Sequence, residues 1–271
     1  MKLTPNVPRR TFLLWTGGAL AAALTGCGKT GKPGKKPLVV GMDLSYPPFE
    51  MVDPSGDPTG VSVDLARALA ESLGRELKIE NIPFVGLIPS LQNGRLDCVI
   101  SSLTDTPARR ETISFSDPYL TIGLALLVGK SSPVQNVSDL DQPGRTVVVR
   151  QGTTGELWAR KNLKQARILA VDKENSAVLE VSQGRADAFI YDQMSVWKNW
   201  QENQGTTRAL LQPIQEEHWA VGLQKGNEEL KGQINAFLLA YREKGGFQAL
   251  GDKYLPAQKK AFAEQGVPFV F

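Results

Sequence analysis

Cysteine and histidine are nearly missing from this sequence: 271 residues hold two cysteines and one histidine. A disulfide is not expected, because Cys27 closes a leader-like segment. That leaves Cys98 alone in the apolar run Asp97-Cys98-Val99-Ile100, where a buried, inert thiol is the default. No metal site or cofactor is expected either, since clustered His and Cys ligands are absent. A Ser-His-Asp arrangement would have to use His218, and no Gly-x-Ser-x-Gly motif supports it. His218 therefore reads as structural. Long apolar runs are also lacking. The stretch Phe12 to Leu24 is softened by Gly17, Gly18 and several alanines, and it falls short of the ~20 residues a membrane span needs.

That stretch has the shape of a signal-peptide core, preceded by Arg9 and Arg10. It ends in Leu24-Thr25-Gly26-Cys27, which resembles a lipobox, where Cys27 would be acylated and the chain cut before it. Arg9 to Leu13 resembles a twin-arginine signal, but Pro8 and Leu14 depart from the usual pattern. Ordinary secretion and the twin-arginine route both stay open. The expected organisation is a signal peptide over 1–26, then a lipidated cysteine and flexible Gly/Lys/Thr/Pro tether over 27–36. The exported protein would then be held at the membrane by its lipid.

The 31 basic and 28 acidic residues make the chain look mildly basic. Three of the basic residues precede Cys27 and four lie in the tether. The remainder carries 24 basic and 28 acidic residues, a net of −4. Nothing in it argues for nucleic acid.

Residues 37 to 271 exceed a typical single domain and imply two lobes. Apolar β-branched runs at Leu38 to Gly41, Cys98 to Ser101, Thr146 to Arg150 and Ala188 to Tyr191 predict strands. Helical spacing is found at Val63 to Leu73, Gly86 to Gln92, Gly155 to Asn162, Ala177 to Gln183, Asn227 to Lys244 and Phe247 to Tyr254. The alternation argues for an α/β fold with mostly parallel sheet and helices on both faces. One unit recurs. Gly94-Arg95-Leu96-Asp97 leads into a strand ending at Ser101-Ser102, and Gly184-Arg185-Ala186-Asp187 into one ending at Tyr191-Asp192. Ligands gather at the carboxyl ends of such strands. A carboxylate facing two hydroxyls suits an ammonium group.

Thr106 and Pro107 predict a helix start, with Arg109 and Arg110 in its first turn, against the helix dipole. An arginine fork there can grip a carboxylate. The alternative is that both arginines are solvated or paired with Glu111 and Asp117. A second anion site is plausible at Gln151 to Gly155, between a strand and a helix N-terminus.

An ordered series of short motifs then carries a resemblance. The series is Tyr46-Pro47-Pro48-Phe49-Glu50, Gly60 with Asp64 to Ala66, Leu87 to Leu91, Ser101 to Thr104 leading to Arg109, Phe115 to Tyr119, Gln151 to Thr154, and Asp187 to Asp192. It resembles the polar amino-acid solute-binding proteins of ABC importers, over nearly all of residues 37 to 260. The resemblance implies a periplasmic-binding-protein-like type II fold, two α/β lobes joined by two hinge strands near Thr121 to Ala125 and His218 to Gly222. Lobe one would be 37–122 plus 222–271, and lobe two 123–221. It also implies site roles. Arg109 would hold a ligand α-carboxylate, helped by Thr104 and by Thr153-Thr154. Asp192 and Ser102 would hold the α-ammonium, with Ser101 nearby. Tyr46 and Phe84 would wall the side-chain pocket, and Asp43, Arg150 and Tyr191 would meet the side-chain end. Phe115 to Tyr119 and Asp64 would be structural.

Ser62 stands where basic-residue binders of the family often carry an acid, which weighs against a lysine or arginine ligand. Glutamine or glutamate is favoured, and mutual neutralisation of Asp43 and Arg150 would shift the balance towards a neutral ligand. The expected mechanism is capture of the amino acid by lobe closure and delivery to the permease subunits of an ABC importer, by a monomer without covalent chemistry. Two alternatives remain: a binding protein that presents its ligand to a sensor, and a cyclohexadienyl dehydratase-like enzyme on the same fold.

Overall fold

The computed structural model describes residues 35–264 and Gly266. The expected signal peptide, the lipobox-like motif and Cys27 lie outside the described residues. Lys35 and Lys36, expected in a free tether, are tied down: Lys35 Nζ donates to the Leu73 carbonyl at 2.7 Å, and Arg75 Nε to that of Lys36 at 2.9 Å. Among the described residues no helix is long and apolar enough to cross a membrane, and no group of three or more His, Cys, Asp or Glu could hold a metal ion.

The elements run β1 (Leu38–Met42), β2 (Ser45–Tyr46), β3 (Glu50–Val52), β4 (Pro58–Thr59), α1 (Val61–Ser72), β5 (Leu77–Asn81), α2 (Phe84–Gln92), β6 (Cys98–Val99), α3 (Pro107–Arg110) and β7 (Ile113–Gly129). They continue with β8 (Thr146–Arg150), α4 (Thr154–Asn162), β9 (Arg167–Val171), α5 (Glu174–Ser182), β10 (Ala188–Asp192), α6 (Gln193–Glu202), β11 (Thr207–Gln224), α7 (Glu228–Glu243), α8 (Gly246–Tyr254) and α9 (Pro256–Glu264). Eight strands form one sheet in the order β5-β1-β6-β11-β7-β10-β8-β9, and β2, β3 and β4 form a small second sheet.

The order is symmetric about its centre. On one side β5, β1 and β6 are parallel; on the other β9, β8 and β10 are parallel. Between them β11 and β7 pair antiparallel with each other along most of their length. The expected parallel sheet is therefore found in each half, with two long antiparallel strands joining the halves. Those strands were not legible as single elements. Pro118 and Pro213, and the polar run Gln215 to His218, break their periodicity. Both expected hinge segments lie inside them, and the β7–β11 register shifts between Leu210 and Gln215 and again from Trp219 to Gly222.

The repeat read from the sequence extends further than its motif. β5, α2 and β6 begin at 77, 84 and 98; β9, α5 and β10 begin at 167, 174 and 188, each 90 positions later. Gly94 and Gly184 close the two helices at φ 72° and 71°, a conformation open to glycine at little cost. The two aspartates that follow act alike. Asp97 accepts from the amide of Val39 at 2.9 Å, and Asp187 from that of Thr146 at 2.8 Å. Each also takes an arginine, Arg75 at 2.6 Å and Arg145 at 2.9 Å.

Period-two alternation supplies both faces of the sheet. Val147 and Val149 of β8 and Ala188 and Ile190 of β10 pack on one face, with Leu124 and Leu126. Val148, Phe189 and Tyr191 join the larger cluster on the other, with Val40 and Met42 of β1. Leu87, Leu91 and Val99 cover the remaining face of the first half. Cys98 is buried, and burial pushes its thiol up to about 12, as expected of an inert cysteine. His218 is half-exposed, with Nδ1 3.1 Å from the Thr121 hydroxyl. Asp64 takes Arg67, Lys253 and Tyr254, tying α1 to α8.

Candidate functional site

A cavity lies where the carboxyl ends of the parallel strands of both halves meet. All twelve residues singled out in the sequence line it: Asp43, Tyr46, Phe84, Ser101, Ser102, Thr104, Arg109, Arg150, Thr153, Thr154, Tyr191 and Asp192. Glu50, Leu124, Glu217 and Trp219 line it as well. Glu50 was legible only as part of its motif. Glu217 and Trp219 were hidden because the polar run Gln215 to His218 around them reads equally well as a solvated segment.

Arg109 sits on the short helix α3, started by Thr106, whose hydroxyl accepts from the Arg109 amide at 3.2 Å. Its guanidinium is buried and donates to two backbone carbonyls, those of Thr104 at 2.7 Å and Gly152 at 3.1 Å. Burial lowers its pKa to about 10, so it keeps its charge at neutral pH. Among the described residues no carboxylate lies within ion-pair distance of it. Arg110 differs from the expected pairing. It is exposed and grips Asp105, not Glu111 or Asp117. The five-residue spacing between Asp105 and Arg110 brings them together around the start of α3.

Asp192 ends β10 and caps α6, accepting from the Ser195 amide at 3.0 Å. Burial raises its pKa to about 7. Among the described residues the buried Tyr46 hydroxyl has no hydrogen-bond partner. Ser102, with φ 48°, is the one non-glycine residue at positive φ among the described residues. Such a conformation costs of order 1 kcal/mol or more and collects at functional sites. Ser101 and Ser102 both donate to the buried Glu50 carboxyl, at 3.2 and 3.1 Å, and the Ser101 hydroxyl accepts from the Asp43 amide at 3.0 Å. Burial lifts Glu50 to about 8.

Asp43 and Arg150 form a buried ion pair, Nη2 to Oδ2 at 2.5 Å, between the ends of β1 and β8. The Asp43 carboxylate also accepts from the Phe84 amide at 2.9 Å, which satisfies a free donor in the first turn of α2. Arg150 further donates to the Tyr191 hydroxyl at 3.1 Å. Burial works against its charge, but Tyr191 and Asp43 outweigh it and raise its pKa. Phe84 lies between the two arginines, with the guanidinium carbons of Arg109 and Arg150 at 5.6 and 5.7 Å from its ring centre. Tyr46 stacks on Phe49 and meets Trp219 and Tyr191 edge-on, completing an aromatic wall.

The expected anion site at the start of α4 is partly used by the protein itself. The Gly152 amide donates to Glu156 at 2.7 Å, and the Thr153 hydroxyl to the Arg150 carbonyl at 2.7 Å. The Thr104 and Thr154 hydroxyls donate to Glu217, at 3.0 and 2.9 Å.

Known proteins share this architecture. The profile of the bacterial extracellular solute-binding proteins, family 3, matches residues 38–257. The L-cystine-binding protein TcyJ of Escherichia coli is 30% identical over 222 residues, 81% of this chain and 83% of the relative. A putative ABC-transporter binding component from Wolinella succinogenes, solved with lysine, aligns with TM-score 0.76 at 33% identity, covering 82% of this chain and 96% of that one. An ancestral arginine-binding protein bound to glutamine aligns with TM-score 0.74 at 30% identity, covering 80% and 97%. The fold is thus the two-lobed type II α/β architecture of such binding proteins. With a family match over most of its length and aligned structures at 30% identity and above, the chain belongs to the bacterial extracellular solute-binding proteins, family 3.

Proposed function

We propose that this protein captures one free α-amino acid in the cavity between its two halves and delivers it to the permease of an ABC importer. The observation that carries this reading is Arg109. A buried guanidinium whose acceptors are neutral carbonyls is costly unless a carboxylate joins it. Asp192, across the same cavity, supplies the opposite charge once a ligand ammonium beside it favours the ionised carboxylate. An α-amino acid head carries both complements. Cystine, lysine and glutamine, named with the relatives and aligned structures above, share that head.

For the side chain we infer a neutral amide, glutamine before glutamate. Asp43 and Arg150 satisfy each other's charge, and side by side they offer an acceptor and a donor. A carboxamide matches that pair with its own N–H and C=O, whereas a glutamate carboxylate would face Asp43 with like charge. The two lobes, 37–122 plus 222–271 and 123–221, would close on the ligand by bending within β7 and β11. Closure is favoured because only the shut form bonds the ligand from both sides. The working form would be an exported monomer anchored through acylated Cys27.

Thermal unfolding against the twenty amino acids tests the ligand. L-Glutamine is expected to give the largest rise in midpoint, and an unchanged midpoint with every amino acid would refute the reading. Loss of uptake on gene deletion tests the transport role.

A further inference from the structure

Glu217 stands out because its partners are ones the proposed ligand needs. It lies on β11 with 3% exposure, and its Oε2 accepts hydroxyl protons from both Thr104 and Thr154. Its Oε1 accepts from Gln215 Nε2 at 3.1 Å. Thr104 follows β6 in one half of the sheet, and Thr154 opens α4 in the other. Arg109, which lines the same cavity, attracts this carboxylate without touching it. One protein carboxylate thus takes up hydroxyl donors that converge beside the buried arginine. A threonine hydroxyl has a single proton. Given to Glu217, it leaves only lone pairs for anything else, and lone pairs repel an entering carboxylate.

We propose that Glu217 is a built-in competitor for the ligand's carboxylate, holding the Thr104 and Thr154 hydroxyls until a ligand displaces it. This deepens the amino-acid reading and rests on it. Binding requires the two hydroxyls to turn from Glu217 to the ligand, so part of the gross affinity is spent on the exchange. The penalty falls only on ligands that demand those donors with a carboxylate of their own. The same contact links the two halves of the sheet, so Glu217 also stands in for the bridge a ligand would make. Burial already raises the pKa of this group, which eases its protonation once the hydroxyls leave.

Calorimetric titration of wild type, E217Q and E217A with L-glutamine, L-arginine and the α-amide of each tests the proposal. Removing the competing charge should tighten binding of the carboxylate ligand by about tenfold or more, since like charges juxtaposed at an interface cost several kcal/mol. Binding of the matching α-amide should change less than about twofold. E217A guards against the side-chain amide of E217Q continuing to accept one hydroxyl. Equal gains for acid and amide, no gain, or a loss would overturn the proposal while leaving the amino-acid reading intact. Wild type that binds neither amino acid would remove that reading and this inference with it.

Discussion

The turn at Gly94 and the turn at Gly184 are built alike, yet the strands they introduce finish with opposite chemistry. Each turn ends a helix with a left-handed glycine, and each places an aspartate on the amide of a neighbouring strand. From there one chain delivers Ser101 and Ser102, with neutral hydroxyls, and the other Tyr191 and Asp192, with a carboxylate. Backbone hydrogen bonding and packing constrain the frame; Ser101 and Ser102, just past the end of β6, and Tyr191 and Asp192, at the end of β10, line the cavity and differ in chemistry. A duplicated scaffold can therefore present two different halves of one binding site.

The comparison can be broken at the point where the halves meet. Arg150→Met strips the charge partner from buried Asp43 and should cost about 3–5 kcal/mol by chemical denaturation. The double change Asp43→Asn with Arg150→Met should cost much less than the sum of the two single changes. Additive losses would mean that the pair does not act as a pair. The two poles are tested next. With ligand at about 1,000 times its dissociation constant, wild type should gain about 4 kcal/mol of stability. Arg109→Ala should lose that gain for every amino acid, and a retained thermal shift would remove Arg109 from its role.

The proposed ammonium pole, Asp192, has a pH signature. Asp192 is held protonated up to about 7, whereas the unfolded chain ionises it near its ordinary value of 3.8. Folding then takes up a proton between roughly pH 4 and 7, so this group's contribution to stability falls as pH rises through that window. Asp192→Asn keeps a neutral side chain throughout. Wild type should lose stability relative to this variant as pH goes from about 5 to 8, and a constant difference would place the carboxylate in a more polar setting. The smallest effects compare the turns themselves. Gly94→Ala and Gly184→Ala should each cost about 1 kcal/mol, through φ alone, without altering ligand ranking. Unequal costs would show that the two turns are not equivalent.

Much of this is legible in the sequence. The helix–turn–strand repeat could be read because its glycine, aspartate and apolar alternation each have a local cause. The twelve cavity residues could be placed through the family resemblance that the ordered motifs carry, although Asp43, Phe84 and Arg150 lie outside those motifs. Arg109's helix start was readable from Thr106 and Pro107, but its choice of carbonyl partners, and Arg110's choice of Asp105, were not. β5 and β9 were missed because Leu77 to Asn81 and Arg167 to Val171 mix polar and apolar residues as loops do. β7 and β11 were missed because proline and polar residues interrupt them, and only pairing with each other makes them long strands.

By itself the sequence determined the alternating α/β pattern and the duplicated unit, which follow from local periodicity and turn chemistry, and, through the resemblance of its ordered motifs to a family, the set of charged and hydroxyl groups expected at the site. The tertiary structure alone decided that Asp43 neutralises Arg150 and that Glu217 holds Thr104 and Thr154. Those partners lie between 63 and 113 positions apart. No local propensity encodes such contacts; they exist because β7 and β11 join the two halves of one sheet and bring strand ends from both to one cavity, where burial favours partnered charges.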